Sequence, residues 1–384
     1  MGADLVRRLL RAAVRAVDAR RVTARALDEL IAAGVPLDGC ALLAWGKASV
    51  GMAEAAVARC RPRTGMVIAL DPQAVPVGAL WGLRLARGGH PVPADDAPAT
   101  GRAALAMVER LGAGDVLLCL VSGGGSAMLE LPVPGVDIAE LRRPTEARMR
   151  AGDDIHALNA ERTRLSRLKG GKLARAAAPA RVVNVILSDV PGDDVSVVAS
   201  GPTVPPRPGA PGFEHVRTVV AADNGTAQDA VVEAAAAEGL RLVRREGFVS
   251  GEARRAGAAF YADARARCAR EGLDGVAWGG ESTVRVTGDG RGGRNQEFVL
   301  GAADSFEGGA LGSLGTDGVD GASDAAGAVL DAAVLERARQ LGLVPQRHLD
   351  ANDSEAFFRQ AGGLLETGPT GTNAADVCLY LHRA

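Results

Sequence analysis

The stretch that most constrains the fold is residues 115–131, DVLLCLVSGGGSAMLEL. Residues 116–121 form an unbroken apolar run of strand length, the pattern of a strand buried on both faces, and it stops at Ser122-Gly123-Gly124-Gly125-Ser126. Such a strand belongs in a parallel sheet covered by helices. The glycines after it can take positive φ, turn sharply and offer main-chain N–H groups to an anion. Read alone, the loop is equally an ordinary tight turn, so its weight comes from its neighbours in the chain.

Two further apolar runs end in polar groups. Residues 41–45, ALLAW, lead into Gly46-Lys47-Ala48-Ser49 and an alanine-rich helical stretch, and residues 182–187 end at Ser188-Asp189. A parallel sheet gathers the carboxyl ends of its strands at one edge, where open α/β sheets bind ligands. Lys47, the Gly/Ser loop and Asp189 are therefore expected along one edge. The lysine turn is not a Walker A loop, because Ala41 and Ala48 stand at the defining glycine and hydroxyl positions. Lys47 remains a candidate phosphate ligand. His90, in the Pro-locked loop 88–93, reads either as a substrate contact or as a histidine satisfied by loop backbone. Residues 154–175 read as a helix broken at Gly170-Gly171, with Asn159, Arg162 and Ser166 on one face.

Composition narrows the class of partner. The chain has 384 residues, a net charge of -2 and 23% charged residues, which fits a soluble protein of two or three domains and gives no reason to expect nucleic acid or an anionic membrane. A small molecule is the expected partner. The five cysteines are scattered without CxxC spacing, as in a reduced protein without zinc, and no apolar run reaches bilayer length. The expected location is the cytoplasm. Residues 5–33 show helical apolar spacing, read as two helices. The Pro/Gly-rich stretch 204–212 reads as a linker, which divides the chain into domains 1–210 and 211–384.

Beyond it the α/β rhythm restarts, with strands expected at 216–221, 240–243 and 275–278 and helices at 227–238 and 251–271. Gly280-Glu281-Ser282-Thr283 opens an alternating strand to Thr287, and Gly288, Gly290 and Gly293 then match the GxGxxG pattern, with Asp317 at the distance of a ribose-binding acid. Against a dinucleotide, the same loop carries Arg294, suited to gripping a carboxylate or phosphate with its fork. Asp317, Asp320 and Asp324 follow a strand at 311–315 and make either a solvated loop or a hard-cation site; Mg²⁺ needs only one or two carboxylates. Residues 367–373, including Thr372 and Asn373, form a second Gly/hydroxyl loop before a strand at 376–381.

Taken in order, GKAS from Gly46, GGHPVP from Gly88, SGGGS from Ser122, LNAERTRLSRLKGGKLA from Leu158, LSDVPGDD from Leu187, SGPTVP from Ser200, GGES from Gly279, GDGRGGRNQE from Gly288, GTDGVDGASDAAG from Gly315 and TGPTGTN from Thr367 resemble the class II glycerate 2-kinase family. Its C-terminal part is called the MOFRL domain, and its members were often labelled hydroxypyruvate reductases. The resemblance implies two α/β domains, the first a Rossmann-like parallel sheet and the second a mixed sheet, with the active site in the cleft between them. It implies ATP-dependent phosphorylation of D-glycerate at the 2-hydroxyl, with Lys47 and Arg294 as central active-site cations. On that reading Ser122, Gly123, Gly124, Gly125, Ser126, Thr372 and Asn373 hold the nucleotide. Mg²⁺ falls to Asp189 or Asp317, Asp189 takes the hydroxyl proton, and Asn159, Arg162, Asn295 and Glu297 contact the substrate. The converse, Lys47 on the acceptor's carboxylate and Arg294 on the phosphates, stays open. So do another small hydroxy acid as acceptor, an NAD(P)-dependent hydroxypyruvate reductase using Gly288 to Gly293, a non-catalytic sugar-acid binder, and a homodimer as the assembly. The chain departs from the family in a short segment after Thr203 and in Asp223-Asn224-Gly225 before a helix.

Overall fold

The computed structural model describes residues 2–76, 78–80, 82–143, 162–190, 192 and 194–382. They form two compact units, one of Ala19–Ala222 and one of Met1–Asp18 with Asp223–Ala384. The fold class is α/β in both.

The first unit is built on a six-stranded sheet of β1 (Ala41–Trp45), β2 (Thr64–Ala69), β3 (Arg84–Arg87), β4 (Val116–Ser122), β5 (Arg181–Leu187) and β6 (Val216–Ala222). Their order is β3-β2-β1-β4-β5-β6 and all pairings are parallel. Every residue of β1 and β4 is buried, which is why both read as continuous apolar runs rather than alternating ones. Leu43, Trp45, Leu117, Cys119 and Val121 share one core with Ile68, Ile186, Leu168 and Leu173. The chain runs outward from β1 to β3, then crosses back to lay β4 on the other side of β1. The switch point between β1 and β4 is thus the place where the sheet opens a crevice at its carboxyl edge.

The second unit holds β7 (Leu242–Arg244), β8 (Gly275–Gly280), β9 (Ala310–Gly315), β10 (Gly327–Asp331), β11 (Leu364–Leu365) and β12 (Asp376–Leu381), in the order β11-β10-β9-β12-β8-β7. β7 and β8 pair in parallel and the other neighbours antiparallel, so the sheet is mixed. The helices Gly2–Ala16 and Asn224–Ala237 pack on one another and against β9, β12 and β8. A second cluster holds both tyrosines and most of the chain's phenylalanines, among them Phe260, Phe298, Phe357 and Phe358.

The domain boundary differs from the expected 210/211. The run expected to open the second domain is β6, paired to β5, and the Pro/Gly-rich 204–212 segment is a loop inside the first unit rather than a linker. Residues before Asp18 belong with the C-terminal unit. Val6, Leu9 and Leu10 are fully buried, Val6 Cγ1 packs over Gly312 of β9, and Ala3 N donates to Asp331 Oδ2 at 3.0 Å. The strand expected over 283–287 does not form. Thr283 makes a single bridge to Glu252, Val286 is 75% exposed, and Asn352 Oδ1 holds Thr287 N and Gly288 N instead. No helix among the described residues is long and apolar enough to cross a membrane.

Candidate active site

At the switch point of the first sheet, Trp45 pairs with Val121, so the turns after β1 and β4 start side by side. Lys47 N donates to Gly123 O at 2.9 Å and Ala48 N to Ser122 Oγ at 3.0 Å. Gly46 sits at φ +110, and a Cβ there would lie 2.3 Å from Ser122 Oγ, so only glycine lets the two turns meet. Gly124, at φ +78, faces both Lys47 and His90: a Cβ would stand 3.1 Å from Lys47 Cγ and 3.0 Å from His90 Cδ2. The structure therefore brings together Lys47, the Gly/Ser loop and His90. Asp189 lies half-buried past the end of β5, the strand beside β4, as a parallel sheet requires.

The loop continues into Arg162, one of the expected substrate contacts, and Ser200, which is not among the expected site residues. Ser126 Oγ is 2.7 Å from Ser200 Oγ, and Arg162 Nη1 donates to Ser126 Oγ at 3.5 Å. Beneath them Lys169, fully buried, is ion-paired with Glu130 and donates to Leu129 O. Burial pulls the pKa of Lys169 and of Arg162 below their ordinary values, and Glu130 opposes it in both. Asn159 lies outside the described residues.

In the second unit, Asp376 opens β12 and pairs with Gly280 on one side and Gly315 on the other. That register sets the ends of β8 and β9, hence Glu281 and Asp317, on either side of it. Arg294 grips Asp376 with two bonds, Nε to Oδ2 at 2.6 Å and Nη2 to Oδ1 at 3.0 Å, and reaches Glu281 Oε1 with Nη1 at 2.8 Å. Burial works against its charge, but the carboxylates of Asp376 and Glu281 outweigh that and hold its pKa above the ordinary value. The bend before Asp376 is fixed from two directions. Asn224 Nδ2 donates to Ala374 O at 2.7 Å and Asp376 O at 2.9 Å, and Thr316 Oγ1 donates to Ala375 O at 2.7 Å, across Ala375 at φ +61. Asp376 is the residue that sequence reasoning missed; its only signal is a carboxylate at the first position of an apolar strand.

Several expected site residues make their contacts within the fold. Asn295 is buried between Asp320 and Ser313, and Glu297 is held by Arg254 and Asn352, so both side chains are engaged within their own unit. Their helix, Arg294–Leu300, is buried at every position from Asn295 on. Thr372 is buried with its hydroxyl on Val17 O, and Asn373 Oδ1 accepts from Ala375 N at 3.4 Å. Asp320 accepts from Asn295 N and Gln296 N at 2.9 Å each; burial, opposed by these donors, pushes its carboxyl up to about 7. Asp317 Oδ1 accepts from Val319 N at 3.2 Å. The GxGxxG glycines are closed to a dinucleotide. Gly290 N donates to Ala351 O at 3.0 Å, and a Cβ on Gly288 or Gly290 would lie 2.3 or 2.6 Å from that same oxygen. Among the described residues no group of three or more His, Cys, Asp or Glu side chains is placed to hold a metal ion.

A parallel sheet with a lysine and a Gly/Ser loop at its switch point, in one chain with a mixed sheet presenting an arginine at a buried strand end, defines a two-unit α/β protein with charged strand ends. The domain of unknown function DUF4147 matches residues 5–235, and the MOFRL family matches residues 274–376. A protein of Thermotoga maritima named D-glycerate 2-kinase is 34% identical over 382 residues, covering 90% of this chain and 91% of its own. One of Agrobacterium vitis, named putative hydroxypyruvate reductase, is 36% identical over 417 residues, covering 97% and 93%. The crystal structure of a Thermotoga maritima glycerate kinase superposes with a TM-score of 0.86 at 32% identity, covering 99% of both chains. The chain belongs to the class II glycerate kinase family.

Proposed function

We propose that the protein transfers the terminal phosphoryl group of ATP to the 2-hydroxyl of D-glycerate. The observation that carries this reading is the sheet edge where Lys47, His90 and the glycine loop meet at the switch point, a place suited to a polyphosphate. The similarity to a D-glycerate 2-kinase over nine-tenths of the chain supports it. Phosphoryl transfer asks of a protein mainly alignment and charge neutralisation, and this edge offers a lysine on a turn whose main chain is held in place, beside glycine main chain.

In this reading Lys47 and residues 122–126 take the phosphates, Arg294 orients the acceptor's carboxylate, and Asp189 receives the hydroxyl proton. Arg294 is held as a rigid fork by Asp376 and Glu281, so a ligand meets a pre-oriented guanidinium. The carboxylates assigned to the ion, Asp189 and Asp317, are oxygen donors suited to Mg²⁺, which takes few protein ligands and completes its shell with phosphate oxygens and water. Bound there, the ion would neutralise phosphate charge.

The names of some relatives favour a hydroxypyruvate reductase, but the spent N–H groups and close packing of Gly288 and Gly290 weigh against a dinucleotide in that loop. The test is direct. Purified protein with ATP, Mg²⁺ and D-glycerate should release ADP and yield 2-phosphoglycerate by ³¹P NMR. NADH oxidation with hydroxypyruvate and no ADP release would overturn the reading, and 3-phosphoglycerate would overturn the assigned position.

A further inference from the structure

Ser200 lies in a strained turn. Ala199 at φ +52 and Ser200 at φ +61 are consecutive non-glycine residues in the left-handed region, followed by Gly201 at φ +56. Such residues are strained and persist where the surroundings impose them, commonly at a functional site. Here the surroundings are well defined. Gly170 N donates to Ser200 O at 3.0 Å, Gly171 N to Gly201 O at 2.7 Å, and Ala199 Cβ fills the space beside Gly125. The result of this strain is to aim Ser200 Oγ at Ser126 Oγ, 2.7 Å away, in the last residue of the Gly/Ser loop.

A serine hydroxyl has one proton and two lone pairs. Arg162 can only donate, so its Nη1 at 3.5 Å occupies one lone pair of Ser126. Ser200 is 2% exposed and Ser126 is half-buried, so of the two hydroxyls it is Ser126 that can reach a ligand. We infer that Ser200 donates to Ser126 and fills its second lone pair, which forces the Ser126 proton outward as a donor to a phosphate oxygen. Ser200 and Arg162 are then positioning residues: they convert a group that could donate or accept into one that presents a proton only. The site selects an anion because its hydroxyl has no acceptor capacity left to offer.

The inference deepens the proposed kinase reading and rests on its placement of phosphate at residues 122–126, but its test uses binding rather than turnover. Affinity for inorganic tripolyphosphate is measured by calorimetry on the full chain. Ser200→Gly removes the hydroxyl and relieves the strained φ, so its Tm should equal or exceed that of the parent while affinity falls roughly tenfold or more. Ser200→Ala keeps the backbone conformation and should lose affinity to the same extent, which serves if the glycine variant folds poorly. Ser126→Ala should match them, and Ser126→Ala with Ser200→Gly should lose no more than either alone. Unchanged affinity in both Ser200 variants, additive losses in the double variant, or a parent protein that does not bind tripolyphosphate would each overturn the inference. Binding that follows this pattern without glycerate phosphorylation would overturn the kinase reading and leave the role of Ser200 standing.

Discussion

Lys47 and Arg294 are both cations at strand ends, yet their substitution should have different consequences. Lys47→Ala removes a charge from a turn that main-chain bonds hold in place, so kcat/KM should fall about 10²–10³-fold with Tm unchanged. Arg294→Ala should lower Tm as well, because the Asp376 carboxylate, 5% exposed, loses its fork. Arg294→Lys should not rescue turnover, since an ammonium cannot make the bidentate contact. Equal thermal stability in the Lys47 and Arg294 variants would show that the Asp376 pair carries no structural weight. Asp320 gives a pH dependence. Its carboxyl, ordinarily at 3.8, is pushed up to about 7 by burial, so the folded state binds a proton that the unfolded chain has released. Its contribution to stability is complete below the ordinary carboxylate value and lost as pH rises through 7. Urea unfolding of the parent and Asp320→Asn at pH 4 to 8 should show the parent losing stability relative to the variant across that interval.

At the scale of elements, turns and helix ends carry the site. Gly124 joins β4 to the rest of the Gly/Ser loop with Lys47 and His90 over it, so Gly124→Val forces a strained φ and crowds both side chains. ATP should then no longer raise Tm, a result read by thermal shift. The helix Asn224–Ala237 begins with Asp223 capping Thr226 N at 2.6 Å while Thr226 Oγ1 returns a contact to the cap. Asp223→Ala should cost about 1 kcal/mol in urea unfolding. Because Asn224, the next residue, ties down Ala374 and Asp376, the same variant should also raise hydrogen exchange at the start of β12.

At the scale of the whole molecule, the two units are unequal in continuity. The C-terminal unit borrows its first helix, Gly2–Ala16, from the start of the chain, and that helix buries Val6, Leu9 and Leu10. Side chains of this kind contribute about 1.5–3 kcal/mol each when fully buried. Deleting residues 2–16 should therefore speed hydrogen exchange in β9 and β12 and leave β1 and β4 protected. The opposite pattern would place the helix with the parallel sheet.

The chain's local chemistry determined a great deal. β1, β4 and β5 are legible because a strand buried on both faces is apolar at nearly every position, and the groups ending them, Lys47, Ser122 to Ser126 and Asp189, follow from where those runs stop. The exposed β3 and the two-residue β11 left no such trace, and the alternating run before Thr287 reads like a strand but makes, among the described residues, a single bridge from Thr283 to Glu252. Only the tertiary structure decided that Arg294 is clamped by Asp376, 82 residues away, that Ser200 reaches Ser126 across 74, and that the first helix belongs to the last unit. The physical reason is that burial writes itself into every residue of a segment, whereas a hydrogen bond between distant side chains depends on how strands are ordered and registered, and leaves no periodicity in the sequence to be read.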